Sequence, residues 1–325
     1  MNRFAALVAI ALLGSLTVAS AQPKRQVADE KPRFEIADRL PSALKAALKA
    51  YGKIRYSGSR IVEFKSGPDR QRHVEYVITD GFRSRVEFPD DSPLRGQVIV
   101  ETPKERRHFT PKSNEIHVLP PRREEAFGRI ANMAKRRFRF TQSGGGSIAG
   151  LSTQLVSISD PQGNVLQKLW IDPKSGMVLK REVFDRGGAL QGFFEFQKVD
   201  LTPNIDPSEF RLQPKGARVV TPNLVLNRLI RKGSFQDVRL TGTSYHLESA
   251  KIQNIGGRQV LVQLYLGDGH RISLYQLAAS IDPAKLDKLA GALNTYAWQR
   301  GESTFALVGD LTDAELRTLA RRLGA

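Results

Sequence analysis

Hydrophobic and polar positions change their period several times along the chain. After Asn2 and Arg3, residues Phe4 to Val18 are apolar apart from Gly14, Ser15 and Thr17, and Ala19-Ser20-Ala21 follows. A positive start, an apolar run of this length and an A-x-A exit predict a secretory signal cleaved after Ala21. The run falls short of the about 20 residues that a membrane anchor wants. Residues 22–35 are mostly polar and read as a flexible lead-in. From Pro41 to Tyr51 the period is helical: Leu44, Ala47, Leu48 and Tyr51 share a face, and Gly52 is the stop.

The period then becomes two. Ile54–Gly58 with Ile61–Phe64 reads as one interrupted strand, and His73–Ile78, Arg83–Phe88, Gln97–Glu101, Arg106–Phe109 and Glu115–Leu119 follow it. Glu124 to Phe138 carries a helical stripe of Phe127, Ile130, Ala131 and Ala134. Ser143-Gly144-Gly145-Gly146-Ser147 reads as a flexible loop. Four further strands, Ser152–Ser159, Val165–Ile171, Val178–Phe184 and Leu190–Val199, are separated by Asp160-Pro161-Gln162-Gly163, Asp172-Pro173-Lys174-Ser175-Gly176 and Asp185-Arg186-Gly187-Gly188, the composition of tight turns.

Residues 36–214 therefore read as one large β domain and 215–222 as a linker. Within 223–325 the pattern predicts a helix over Leu224–Ile230 and strands near Ser244–Ile252, Gln259–Tyr265, Arg271–Leu277, Thr295–Gln299 and Thr304–Val308. A final helix has Thr312 and Glu315 placed for a capping box. The fold class expected is α+β: a curved antiparallel sheet wrapping helices, plus a small α+β domain.

Composition narrows the chemistry. The chain has no cysteine, which removes thiolate catalysis, cysteine-ligated metals and lipid attachment at the cut. The formal net charge is +17, and an exported protein so basic is expected to meet anionic membrane surfaces or an acidic protein segment, not nucleic acid. Arg122, Arg123, Lys135, Arg136 and Arg137 bracket one helix and are the basic surface candidates, against the plainer reading of a solvated face. Arg321 and Arg322 complement the dipole of the last helix.

No catalytic set assembles. His108 and His117 would face each other across a hairpin, but no carboxylate completes a ligand set, so no metal is expected. Asp90-Asp91 and Glu124-Glu125 are adjacent pairs, and since sequence neighbours point apart on a strand, paired-carboxylate chemistry is not expected. The glycine run lacks the Lys-Ser/Thr ending of a phosphate loop. Gly267-Asp268-Gly269 reads as a hairpin turn. No cofactor and no enzymatic activity are expected. Val98, Val100, Phe109, Ile116, Val118, Trp170, Phe194 and Phe196 are expected to point to the sheet's inner side, either as packed core or as the lining of an apolar cavity.

Leu169 to Arg181, a strand, a D-P-x-[ST]-G hairpin and a return strand, resembles a hallmark of the LolA/LolB-like lipoprotein-carrier superfamily, and Asn204–Phe210 with Pro214-Lys215-Gly216 resembles its domain ending. Tyr296 to Leu311 with the last helix, and Tyr56-Ser57-Gly58 with His73-Val74-Glu75-Tyr76, are similar to MucB/RseB-type regulators of envelope-stress sigma factors. The resemblance implies a periplasmic protein whose half-barrel domain encloses an apolar cavity. It implies a partner, the periplasmic segment of a membrane anti-sigma factor, and a ligand, lipid or lipoprotein acyl chains. The alternative it carries is a LolA-like carrier of lipoproteins or lipids. Lys232–Leu277 fits the family pattern least well.

Overall fold

The computed structural model describes residues 40–66, 69–121, 133, 138–255, 257–280 and 293–324. The expected signal sequence, the lead-in and most of the 124–138 helix candidate lie outside them. The described residues fall into two compact units, the first holding 40–116 and 138–217, the second 117–121 and 218–324.

The first unit opens with α1 (Ser42–Ala50), followed by β1 (Arg55–Ser66), β2 (Asp69–Asp80), β3 (Arg83–Glu87), β4 (Val98–Glu101), β5 (Arg106–Thr110), β6 (Glu115–Leu119), β7 (Arg139–Ile148), β8 (Leu151–Ser159), β9 (Val165–Ile171), β10 (Val178–Phe184) and β11 (Leu190–Asp200). The strands form one open, curved antiparallel sheet in the order β6-β5-β4-β3-β2-β1-β11-β10-β9-β8-β7. Every link is a sequential hairpin or meander step except β1–β11, where the last strand returns beside the first. The predicted interrupted strand is continuous: β1 runs through Ser59 and Arg60 without an extra residue, and the bulge opposite them lies on β11, where Gln197 falls between the partners Lys198 and Phe196.

Aspartates build the turns. In the β9–β10 connection the Asp172 carboxylate accepts from Lys174 N (3.2 Å), Ser175 N (3.0 Å) and Ser175 Oγ (2.6 Å). Asp160 likewise accepts from Gln162 N, Asn164 N and Asn164 Nδ2 within 3.0 Å. These side chains replace backbone partners that a tight turn leaves unmade. Gly176 closes the Asp172 turn at φ +74, and an added Cβ would lie 2.6 Å from both Ala46 O and Ala50 Cβ of α1. The glycine is thus needed for the turn and for the seating of α1.

Ser143 to Ser147 is not a loop. It is the middle of β7, paired with β8 from Arg139↔Ser159 to Ile148↔Leu151, with a bulge between Gly144 and Gly146. The reversal falls instead on Ala149 and Gly150, both at positive φ. Glycine content misled here, because pairing along β8 overrides weak strand propensity.

The segment expected to end the domain does so by packing. Asp206 caps a 3-10 turn over Pro207–Phe210 by accepting from Ser208 N. Ile205, Phe210 and Leu212 then bury against Val100. Asn114, at φ 48, donates from Nδ2 to Gly216 O at 3.1 Å. The change of unit falls between Ala217 and Arg218, within the predicted linker span, which also contains β12 (Arg218–Val220) and the first residue of α2 (Pro222–Lys232).

In the second unit β13 (His246–Ile255), β14 (Arg258–Gly267), β15 (His270–Leu277), β16 (Asn294–Arg300) and β17 (Ser303–Gly309) form an antiparallel sheet in the order β13-β14-β15-β17-β16. Asp268 and Gly269, both at positive φ, make the two-residue β14–β15 turn. Helix α2 packs on β13, and α3 (Asp313–Arg322) packs on β16 and β17. Thr312 and Glu315 form the predicted capping box, with Thr312 N donating to Glu315 Oε2 (2.8 Å) and Glu315 N to Thr312 Oγ1 (3.3 Å). Tyr265, Ile272, Leu274, Phe305 and Leu307 meet Leu316 and Leu319 in its core.

Candidate functional site

Antiparallel partners share a sheet face, so the registers from β7 round to β5 sort the strand side chains between the two faces. One cross-strand row runs Gln142–Val156–Leu169–Arg181–Phe194–Val62–His73 from β7 to β2. Phe196, Arg60 and Glu75 form the next row on the same side. Gln142 anchors α1 over this face: its Oε1 accepts from Ala43 N at 3.0 Å, and its Nε2 donates to Ser42 Oγ at 3.2 Å. The helix therefore lies on the side that carries Phe194 and Phe196.

This face is apolar and aromatic at its centre. Val62, Phe64 and Phe196 are buried, and Phe194 joins both of their clusters. Phe194 and Phe196 meet edge to face at 6.1 Å, and Tyr56 meets Phe196 edge to face at 5.7 Å.

A charged group sits among these rings. The Arg60 guanidinium lies 5.1 Å from the Phe194 centroid and 5.8 Å from that of Phe196. Its Nε and Nη2 donate to Glu75 Oε2 at 2.7 and 2.6 Å. Glu75 Oε1 lies 3.1 Å from His73 Nε2, and the His73 ring packs against Phe64 and Phe88. Burial is the largest influence and would lower the Arg60 pKa, but the charge and hydrogen bond of Glu75, together with Tyr56, outweigh it and hold the guanidinium above its ordinary value. Burial would raise Glu75, yet Arg60, with help from His73, holds it below the ordinary carboxylate range. Thr79 continues the same side of β2, and its buried Oγ1 has no hydrogen-bond partner among the described residues.

Both Glu75 oxygens are engaged, so the carboxylate is not poised as a base. No group of three or more His, Asp or Glu capable of holding a metal occurs among the described residues. His108 Nε2 is placed 2.8 Å from Gln97 Oε1.

The predicted cavity residues do not share one side. Phe194 and Phe196 lie on the α1-covered face. Trp170 belongs to the opposite row, Leu155–Trp170–Lys180–Glu195–Ile61–Val74, with Lys180 Nζ 4.8 Å above its ring. Val98, Val100 and Phe109 lie on that opposite face too, through the rows Tyr76–Glu87–Val98–Phe109 and Ile78–Arg85–Val100–Arg107. Their apolar surface is closed by Ile205, Phe210 and Leu212 of the domain ending. A cleft of 190 Å³ beside them is lined by Glu105, Arg107 and Arg211 as well as Val100 and Phe210. Ile116 is buried and shares its strand side with Val118. Strand alternation gives parity within one strand; only register says which parities of different strands agree. Arg122, Arg123, Lys135, Arg136 and Arg137 lie outside the described residues.

Sequence reading missed Arg60, His73, Glu75 and Thr79. In β2 both parities mix polar and apolar residues, so alternation there marks no inner face.

The family model for the MucB/RseB N-terminal domain matches residues 36–214. The chain belongs to the MucB/RseB family. Among solved structures, the Pseudomonas aeruginosa MucA/MucB complex matches at 14% identity and a TM-score of 0.49, covering 88% of this chain and 97% of that one. A LolA superfamily protein from Nitrosomonas europaea matches at 12% identity and a TM-score of 0.28, covering 52% and 96%. A search of curated proteins finds no match. The α1-covered face described above lies wholly within the span that defines membership of the MucB/RseB family.

Proposed function

We propose that this MucB/RseB family member is an exported binding module. It holds the extracytoplasmic segment of a membrane-spanning anti-sigma factor and so restrains an envelope-stress response. The observation that carries the reading is the family match across 36–214. The Pseudomonas aeruginosa relative was solved as a MucA/MucB complex, which is the kind of partnership proposed here. Signal-like residues 1–21 support export, with a mature chain beginning at Gln22.

The decisive experiment is capture of envelope extracts on the mature protein. A single-span protein that regulates a sigma factor should be recovered, and its extracytoplasmic segment alone should compete. Failure of that purified segment to bind at micromolar concentration would refute the reading.

A second reading has its own support. The aromatic side under α1 suits acyl chains, and one charged pair among its rings could orient a lipid or lipoprotein. On this reading the protein senses or carries lipid-bearing molecules. Acyl chains should co-purify with the mature protein, and their absence by mass spectrometry, with no uptake of a fluorescent fatty acid, would remove it.

A further inference from the structure

Strand β7 stands at the end of the sheet order, and among the described residues no strand lies beyond it. It runs ten residues, Arg139–Ile148, against an ordinary strand of about five or six. Thr141 to Gly144, Gly146 and Ser147 are exposed. A long open edge offers a row of unpaired N–H and C=O groups, and proteins usually blunt such edges with lysine, inward charges, proline or a short strand. β7 has no lysine or proline and a single charge, Arg139, at its start; the bulge between Gly144 and Gly146 is the one edge-blunting device it carries.

Gly144 adds a second observation. Its φ is not in the left-handed region, and a Cβ built there would meet nothing within 4 Å. Neither backbone conformation nor internal packing calls for glycine, which weakens a strand. Glycine within a strand suits a site where another backbone comes close. The chain's charge of +17 and the exposed Arg139 favour an acidic visitor.

We propose that the outer edge of β7 is the docking edge for the partner: an acidic, extended segment that adds to the sheet as one more strand through main-chain hydrogen bonds. This rests on the anti-sigma reading above and assigns the surface it uses.

The test is amide hydrogen exchange on the full mature chain, alone and with the purified extracytoplasmic segment of the anti-sigma protein, together with Ser143→Pro and Gly144→Pro. Successive strand residues send their N–H groups to opposite edges, so one of the two variants deletes an outward donor and leaves the β8 pairing intact. The variant with the unchanged melting midpoint is that one. Expected are slowed exchange across 139–148 on binding, and affinity weakened about tenfold or more in that variant. Arg139→Glu should weaken binding severalfold, with the effect fading as salt rises. Normal binding by both proline variants, with protection confined to other elements, overturns the edge assignment while leaving the anti-sigma reading intact. Protection of β7 that grows with protein concentration without the segment reassigns the edge to a second copy. No binding by the unmodified protein removes the anti-sigma reading, and the edge assignment falls with it.

Discussion

Arg60 and Glu75 are direct partners in the β1–β2 register, and two guanidinium nitrogens of the one reach the same carboxylate oxygen of the other at 2.6 and 2.7 Å. The pair stands on the aromatic, α1-covered side of the sheet, where Phe194 and Phe196 flank the guanidinium. Desolvating two charges is expensive, so the pair is stable because each member satisfies the other.

Removing one member should therefore hurt more than removing both. Arg60→Met leaves a buried carboxylate and should destabilise by about 3–5 kcal/mol, while the double change Arg60→Met with Glu75→Leu should recover much of that loss. Denaturant midpoints of the two singles and the double check this. A double mutant whose loss equals the sum of the singles would show that the charges act independently.

The same pair sets a pH dependence. Glu75 is held below its ordinary value of 4.5 in the folded chain. Its contribution is thus present above pH 4.5 and is lost as pH falls from there through the lowered folded value, because the unfolded carboxylate takes up its proton first. Acid titration of the melting temperature should be less steep for Glu75→Gln than for the unchanged protein. Parallel curves would place the acid sensitivity elsewhere.

Two glycines of the same unit should respond differently to alanine. Gly176 and Gly150 both have positive φ, so both substitutions carry backbone strain of about 1 kcal/mol. At Gly150 the new methyl meets open space, whereas at Gly176 it meets Ala46 O and Ala50 Cβ of α1. Gly176→Ala should thus cost at least about 1 kcal/mol more than Gly150→Ala, consistent with overpacking. It should also raise amide exchange across α1. Equal melting midpoints for the two variants would mean that α1 is not seated on the turn.

Legibility in the sequence followed the locality of each signal. β9, β10 and their connection were readable residue by residue, because Asp172, Ser175 and Gly176 form a turn whose partners all lie within a few positions. The capping box at Thr312 and Glu315 was readable for the same reason. The side occupied by Val98, Val100, Phe109 and Trp170 was not, since it depends on pairings between strands far apart in sequence. The burial of Arg60 and Glu75 depends likewise on β1–β2 register and on Phe194 and Phe196 from more than a hundred residues away. Three successive glycines suggested a loop because intrinsic propensity is local, while the β8 partner that makes them a strand is supplied by tertiary pairing.

In the second unit, Tyr265 predicts an alkaline limit. Its hydroxyl donates to Gln263 Oε1 at 2.6 Å and accepts from Leu240 N at 3.3 Å, and Gln263 Nε2 donates to Val238 O at 2.9 Å. The two buried side chains thereby tie the irregular segment around Val238 and Leu240 to β14. Burial pushes the Tyr265 phenol from 10.0 up to about 12, against the donation from Leu240, which works the other way. A phenol whose folded pKa is raised contributes stability that is full below pH 10 and lost as pH climbs towards 12, because the unfolded state ionises first. Tyr265→Phe should therefore lose about 1–3 kcal/mol at neutral pH, where Leu240 N and Gln263 Oε1 are left unpaired. It should also give a flatter decline above pH 10 than the unchanged chain. Equilibrium unfolding followed through Trp298, which lies in the core of this unit, reads both effects. A variant with the same alkaline slope as the unchanged protein would show that Tyr265 is not the group that titrates.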